Sequence, residues 1–179
     1  NLHEGTFYTR GDDKPTLLAD AMKAHGRTTH AVSTHSKQMP PVIARSFDSV
    51  DRTLQARTAD GSASTSAQVT ERTLDWLKGN RAGPVFIWAH YYDPHSPYVD
   101  PPGSHSALAA ATARYAAEVR RTESEVVRLI HAAAALEPSL VALVTADHGE
   151  EFGEHGNMYH CTTLYEAVVG IPMIAWSPN

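Results

Sequence analysis

The sequence predicts an α/β fold, a three-layer α/β/α sandwich with a mainly parallel sheet. Two short apolar runs, 84–89 and 140–145, have the pattern of strands that are buried on both faces. Between them, apolar residues recur every three or four positions from about 106 to 136, which predicts a long helix. Buried strands that alternate with amphipathic helices are typical of a parallel sheet covered by helices.

Weaker patterns predict the remaining elements in the same alternation. Gly26 is a natural helix stop, and Pro138 ends the long helix. Residues 34–60 lack a clean period and are predicted to form a loop with a short turn around 47–50. The other predicted elements are a helix from Pro15 to Gly26, a strand over 28–33, a helix ending near Gly79, a loop over 147–160, a helical turn over 163–167 and a strand over 172–176.

Composition narrows the classes of function. The 179 residues suffice for one domain with a real core, and the net charge of −5 argues against a nucleic-acid-binding protein. No apolar run is long enough to form a transmembrane segment in this chain. The single cysteine, Cys161, excludes an internal disulfide framework and is interpreted as a buried apolar residue.

Histidines concentrate in two stretches, 90–95 and 148–160, which hold five of the eleven. Each stretch begins where a predicted buried strand ends. Ligands of parallel sheets gather at the carboxyl ends of the strands. We therefore expect the two stretches to emerge side by side from neighbouring parallel strands and to face one pocket.

The first stretch carries His90 and His95 in a loop that Pro94 and Pro97 restrict. A rigidly presented imidazole suits general acid catalysis or a contact to a developing oxyanion. A proline-rich surface loop with incidental histidines is an equally good interpretation of the composition alone.

The second stretch places Asp147 and His148 directly after a strand, where a carboxylate and an imidazole can ligate one divalent ion. Two ligands are too few, so others must come from elsewhere. The alternative is a helix-capping aspartate followed by a polar loop. Glu150, Glu151 and Glu154 match no calcium-loop spacing and are interpreted as a solvated acidic loop.

The two runs PVFIWAHYYDPHSPYVDPP and LVALVTADHGEEFGEHG, the latter followed by His160, LYE and IPMIAWSP, resemble the sulfatase family of the alkaline phosphatase superfamily. Weaker similarity extends over most of 15–178 in the family's order. The resemblance implies an alkaline-phosphatase-like fold and a metal-dependent hydrolase that cleaves sulfuric esters.

The resemblance also implies roles for the matching positions. Asp147 and His148 correspond to a pair of metal ligands, with Ca²⁺ expected and Mn²⁺ or Zn²⁺ as alternatives. His95 corresponds to the histidine that contacts the sulfate group and assists the leaving oxygen. His160 falls near a position that is often a lysine contacting the same group. His90, Asp93 and His155 are further candidates for substrate binding.

Departures from the family pattern concern the nucleophile. The Cys/Ser-x-Pro-x-Arg motif that yields formylglycine is absent, and Asp12-Asp13 lacks the apolar strand that precedes the family's acidic pair. His35 lies where many members have a Gly-Lys-Trp-His motif. We therefore expect 1–179 to be a single partial catalytic domain with an irregular lead-in over 1–14. It should supply no nucleophile and be inactive alone.

The predicted activity is sulfate ester hydrolysis by the parent enzyme, acting on a sulfated small molecule or glycan and not on nucleic acid. Two alternatives stay open. One is a phosphodiester or phosphonate hydrolase, or a phosphoethanolamine-type transferase, of the same superfamily. The other is a non-catalytic sulfatase-like binding module. The oligomeric state and the compartment are left open, with an exported, periplasmic or extracellular, parent as the expectation.

Overall fold

The structure, a computed structural model, describes residues 16–34, 39, 41–54, 64–80, 82–98 and 107–178. The lead-in predicted for 1–14 and the position of His35 lie outside these residues. The chain divides into two compact units, Asn1–Tyr92 and Asp93–Asn179. The helices are α1 (Leu18–Ala24), α2 (Pro41–Ala44), α3 (Ser66–Gly79), α4 (Ala107–Leu136) and α5 (Glu166–Val169). The strands are β1 (Thr28–Ser33), β2 (Ser49–Asp51), β3 (Val85–His90), β4 (Ala142–Thr145), β5 (Glu151–Phe152), β6 (Met158–Tyr159) and β7 (Met173–Trp176).

The first unit is built on a parallel sheet in the order β2-β1-β3. The central strand β1 matches the strand predicted for 28–33, and it is buried over most of its length. Val32 of β1 packs with Val69 of α3 and with Leu54 in a small buried cluster. The parallel sheet and its helices confirm the predicted α/β class.

Sequence reasoning missed β2, which lies inside the segment predicted to be a loop. This strand is only three residues long, and its register with β1 pairs Ala31 with Val50. Asp48 connects the two strands, because its side chain accepts hydrogen bonds from the amide (2.9 Å) and hydroxyl (3.0 Å) of Thr29. Contacts between distant segments define β2, and a three-residue strand has no period of its own.

The second unit contains α4 and a two-stranded sheet in which β4 pairs with β7 in antiparallel orientation. Val144, Ile174 and Trp176 line one side of a cavity of about 370 Å³, and residues of α4 line the other. The prediction that β4 is buried on both faces is wrong, because Leu143 on its second face is 65% exposed. The predicted neighbouring parallel strands are also not observed, since β3 and β4 lie in different sheets.

A short hairpin, β5 paired with β6, occupies the segment predicted to be the second loop. It contacts α4 through β5. The loop that follows β4 leads into this hairpin, and a backbone hydrogen bond from Gly149 to Val168 joins that loop to α5. Among the described residues, no helix is long and apolar enough to cross a membrane.

Candidate active site

Three of the predicted histidines lie together in the second unit. The ring of His160 stacks on the ring of His148, with centroids 3.9 Å apart. The rings of His160 and His95 are in T-shaped contact, at a centroid distance of 5.6 Å. The loop that carries His95 and the loop that follows β4 therefore converge, as predicted, although β3 and β4 are not paired strands.

Asp147 and His148 present their side chains to the same space. The carboxylate oxygen Oδ2 of Asp147 lies 3.8 Å from Nε2 of His148, and the Asp147 side chain is 88% exposed. Nδ1 of His148 lies 2.8 Å from the carbonyl oxygen of Gly149. Because a carbonyl only accepts, Nδ1 carries the hydrogen, and Nε2 presents the lone pair that a metal ligand needs.

Gly149 allows the backbone to turn sharply after these two residues. Its amide donates to the carbonyl of Val168 at 2.6 Å, which joins the loop to α5. A Cβ atom at position 149 would collide with the carbonyl oxygen of Ala167. Only glycine fits this close approach.

Glu150 holds His160 in place from the buried side. The Glu150 side chain is 4% exposed, and its Oε1 accepts a hydrogen bond from Nδ1 of His160 at 2.8 Å. Its Oε2 accepts a hydrogen bond from the Tyr98 hydroxyl at 2.6 Å. His160 itself lies between two residues with positive φ, Tyr159 (70°) and Cys161 (72°). Such angles are unfavourable for side-chain-bearing residues and often occur at functional sites.

Tyr98, which hydrogen-bonds to Glu150, belongs to an aromatic cluster. The rings of Tyr98, Tyr115 and Phe152 are in mutual contact, with centroids 5.2 to 6.1 Å apart. Burial raises the pKa of the Tyr98 hydroxyl, and its hydrogen bond to Glu150 raises that pKa further. Burial and the nearby Glu150 charge also raise the pKa of Tyr115. Both hydroxyls therefore stay protonated at neutral pH and can act as donors.

His155 contacts a second buried carboxylate of the hairpin, that of Glu151. Its Nδ1 is 3.4 Å from Oε1 of Glu151, and its ring stacks on Tyr165 at 3.7 Å. Burial raises the pKa of Glu151, but hydrogen bonds from the Thr163 hydroxyl and the His155 amide outweigh it, so the pKa is lowered overall. Glu151 therefore stays ionised and connects the two ends of the hairpin.

The two other predicted substrate-binding residues differ in their surroundings. His90 ends β3 in the first unit, where its Nδ1 lies 3.1 Å from the Ser33 hydroxyl and its ring stacks on Trp88. Asp93 is buried at 1% exposure in the second unit. Neither observation tests their assignment, which stays a prediction.

Two interpretations of individual residues were wrong. Glu150 and Glu151 are buried acceptors, not solvated acids, whereas Glu154 is exposed as expected. Cys161 is exposed, because it lies in the turn after His160 and not in a packed element. Sequence reasoning also missed Tyr98. The spacing of Glu150 two residues after His148 was its only signal, and it did not indicate burial.

The donor set of Asp147 and His148 fits part of a divalent-metal site. A carboxylate oxygen and an imidazole nitrogen converge, and the hydrogen bond to Gly149 sets the required tautomer. Within the described part of the chain, no group of three such donors could hold an ion.

In the comparison with known families, the family described as Sulfatase matches residues 2–179. No curated protein matches the chain.

Proposed function

The chain belongs to the sulfatase family, and from this premise we propose that it contributes part of the metal site and of the sulfate site to a sulfuric ester hydrolase. The observation that carries the proposal is the continuous set of imidazoles His95, His160 and His148, which ends beside the Asp147 carboxylate. Such a set combines hydrogen-bond donors for the sulfate anion with ligands for a metal cation. Transfer of a sulfuryl group requires both, because negative charge develops on the ester oxygens.

His95 is proposed as the general acid for the leaving oxygen. Its Nδ1 donates to the carbonyl of Ser96 at 2.6 Å, which orients the ring and assigns proton transfer to Nε2. As a general acid His95 has to be the doubly protonated imidazolium, with Nδ1–H on the Ser96 carbonyl and the transferable proton on Nε2. When a nucleophile attacks sulfur, the bond from sulfur to the ester oxygen breaks, that oxygen takes the proton from Nε2, and His95 is left as the neutral Nδ1–H imidazole. The nucleophile is not assigned to any described residue.

His160 is proposed to contact the sulfate oxygens. Glu150 and the His148 ring restrain its position, and none of the described residues hydrogen-bonds to its Nε2. With Nδ1–H bonded to Glu150, the ring donates from Nε2 only as the doubly protonated imidazolium, and this form is proposed to contact the sulfate oxygens. A donor held in this way does not have to reorganise as charge develops on the ester, and such preorganised donors stabilise the transition state.

Asp147 and His148 are proposed to bind the divalent ion, which we propose is Ca²⁺, with Mn²⁺ or Zn²⁺ as alternatives because of the imidazole ligand. When bound, such an ion neutralises charge on the ester oxygens. The outward-facing Asp147 carboxylate and the lone pair on Nε2 of His148 support this assignment.

The test compares esters in the full-length protein. We expect turnover of 4-nitrophenyl sulfate, and a loss of kcat by about 10²- to 10⁴-fold in His95→Gln. His25→Gln, at the exposed residue that follows α1, is the matched control and should keep the wild-type rate. Turnover of a phosphonate or phosphodiester but not of the sulfate ester would replace the proposal with the phosphoryl-transfer alternative.

Metal dependence is tested by chelation followed by calorimetric titration of the full-length protein. Added Ca²⁺ should bind and restore turnover, and His148→Ala should weaken binding because it removes one proposed ligand. Restoration by Mn²⁺ or Zn²⁺ alone would reassign the metal. No binding of any of the three ions would support the non-catalytic binding module instead.

A further inference from the structure

The Glu150 side chain takes no part in the chemistry proposed above, yet both of its oxygens are engaged. Oε1 accepts from Nδ1 of His160 at 2.8 Å, and Oε2 accepts from the Tyr98 hydroxyl at 2.6 Å. An ionised carboxylate only accepts, so both partners donate. Nδ1 of His160 therefore carries a hydrogen, and the ring presents Nε2 away from Glu150.

We infer that Glu150 is a positioning residue that holds His160 in one tautomer and one orientation, with Tyr98 holding Glu150 in turn. The inference rests on the proposed contact between His160 and the sulfate group. It assigns a role to two residues, Glu150 and Tyr98, that touch neither the ester nor the metal.

Burial explains why this arrangement can be specific. The Glu150 side chain is almost fully removed from solvent, and its partner Tyr98 packs in an aromatic cluster with Tyr115 and Phe152. Hydrogen bonds to a charged group are strong in such surroundings, and an unpaired buried carboxylate is costly. Rotation of the His160 ring would break its bond to Glu150, so the ring is restrained.

The neighbouring carboxylates show how specific the contact is. Glu151 is also buried, but it accepts from the His155 amide (2.9 Å) and the Thr163 hydroxyl (2.9 Å), contacts that join the two ends of the hairpin. Glu154 is exposed and accepts from the Phe152 amide. Of the three glutamates, Glu150 alone hydrogen-bonds to a side chain of the proposed site.

The structural test measures which ring nitrogen of His160 is protonated. Full-length protein labelled with ¹⁵N at histidine is recorded by NMR correlation of ring nitrogens and ring protons, and His160 is assigned with His160→Gln. Recorded at a pH at which the ring is neutral, His160 should be in the Nδ1–H form in the wild type and in Tyr98→Phe. The Nε2–H form as the main neutral species in the wild type would overturn the inference without any variant.

The variants separate the acceptor from the carboxylate charge. Glu150→Gln keeps an acceptor and should keep the Nδ1–H form. In Tyr98→Phe/Glu150→Met, which replaces both partners with apolar groups of similar size, the His160 signals should shift towards an average of both tautomers. Glu154→Gln is the control from the same hairpin and should leave the His160 signals unchanged. Unchanged signals in the double variant would contradict the inference.

Kinetics supply the second readout. In Tyr98→Phe/Glu150→Met we expect kcat for 4-nitrophenyl sulfate to fall about 10- to 100-fold relative to Tyr98→Phe, the range for residues that orient a functional side chain. KM should change little, and Glu150→Gln should recover most of the rate. A rise in KM alone would contradict a positioning role.

The two readouts distinguish failure of the inference from failure of the proposed function. The Nδ1–H pattern with no turnover of the sulfate ester would refute the proposed function and leave the Glu150–His160 contact standing. Turnover that is insensitive to the double variant would refute the positioning role and leave the sulfatase activity standing.

Discussion

At the scale of single residues, Gly149 shows how closely the loop after β4 packs against the backbone of α5. Gly149→Ala should lower the free energy of unfolding by about 1–3 kcal/mol, because the added methyl group meets the Ala167 carbonyl and the chain must shift. Chemical denaturation of the two proteins measures this difference.

Gly79→Ala is the matched control for that experiment. Gly79 is the last residue of α3, and a Cβ atom there would meet nothing within 4 Å. Gly79→Ala should therefore change the free energy of unfolding by no more than about 1 kcal/mol. Equal unfolding free energies for the two variants would mean that the contact at Gly149 is not a constraint.

Some residues of the proposed site could be predicted from a local sequence pattern, and others could not. Asp147 and His148 are adjacent and follow an apolar run, so their pattern is local and could be predicted. Tyr98 and Glu150 lie 52 positions apart, and their hydrogen bond exists only because two loops converge. A local pattern cannot distinguish a buried glutamate that binds a histidine from one in solvent.

At the scale of elements, Asp48 connects α1, β1 and β2. Hydrogen bonding to the Thr29 amide lowers the pKa of its carboxyl, and the ammonium of Lys23, 3.0 Å from Oδ1, lowers it further. Since the folded pKa lies below the unfolded one, ionised Asp48 stabilises the fold at neutral pH. That contribution is lost as pH falls through the folded pKa.

Asp48→Asn should therefore lower the melting temperature at pH 7 and reduce its dependence on pH below about pH 5. Melting temperatures of the variant and the wild type across this range measure the effect. Asp75→Asn removes an exposed i,i+3 pair with Lys78 and should change little at any pH. Parallel curves for the wild type and Asp48→Asn would contradict this role.

The elements differ in how well they could be predicted. The bounds of β1 match the predicted 28–33, and α4 begins within one residue of the predicted position, because a single continuous period covers each. The strands β2, β5 and β6 have two or three residues each, so only their pairing partners define them.

At the scale of the whole molecule, the outer face of the β4–β7 sheet is apolar. Leu143 and Met173 alternate with the residues that face α4, and they are 65% and 74% exposed. Exposed apolar strands promote association.

Leu143→Lys/Met173→Lys should lower the concentration-dependent light scattering of the 179-residue chain. Ala67→Lys/Gln68→Lys, which adds the same charge on exposed positions of α3, should lower it less. Equal effects would attribute the change to net charge alone.

The sequence by itself determined the α/β class, the order of the main elements and the adjacency of the proposed metal ligands, because periodicity and neighbouring residues are local properties of a chain. Only the tertiary structure decided that β4 pairs with β7, that His160 contacts both His148 and His95, and that the buried Glu150 hydrogen-bonds to His160. These features depend on contacts between segments far apart in the chain, and packing of the whole unit selects them.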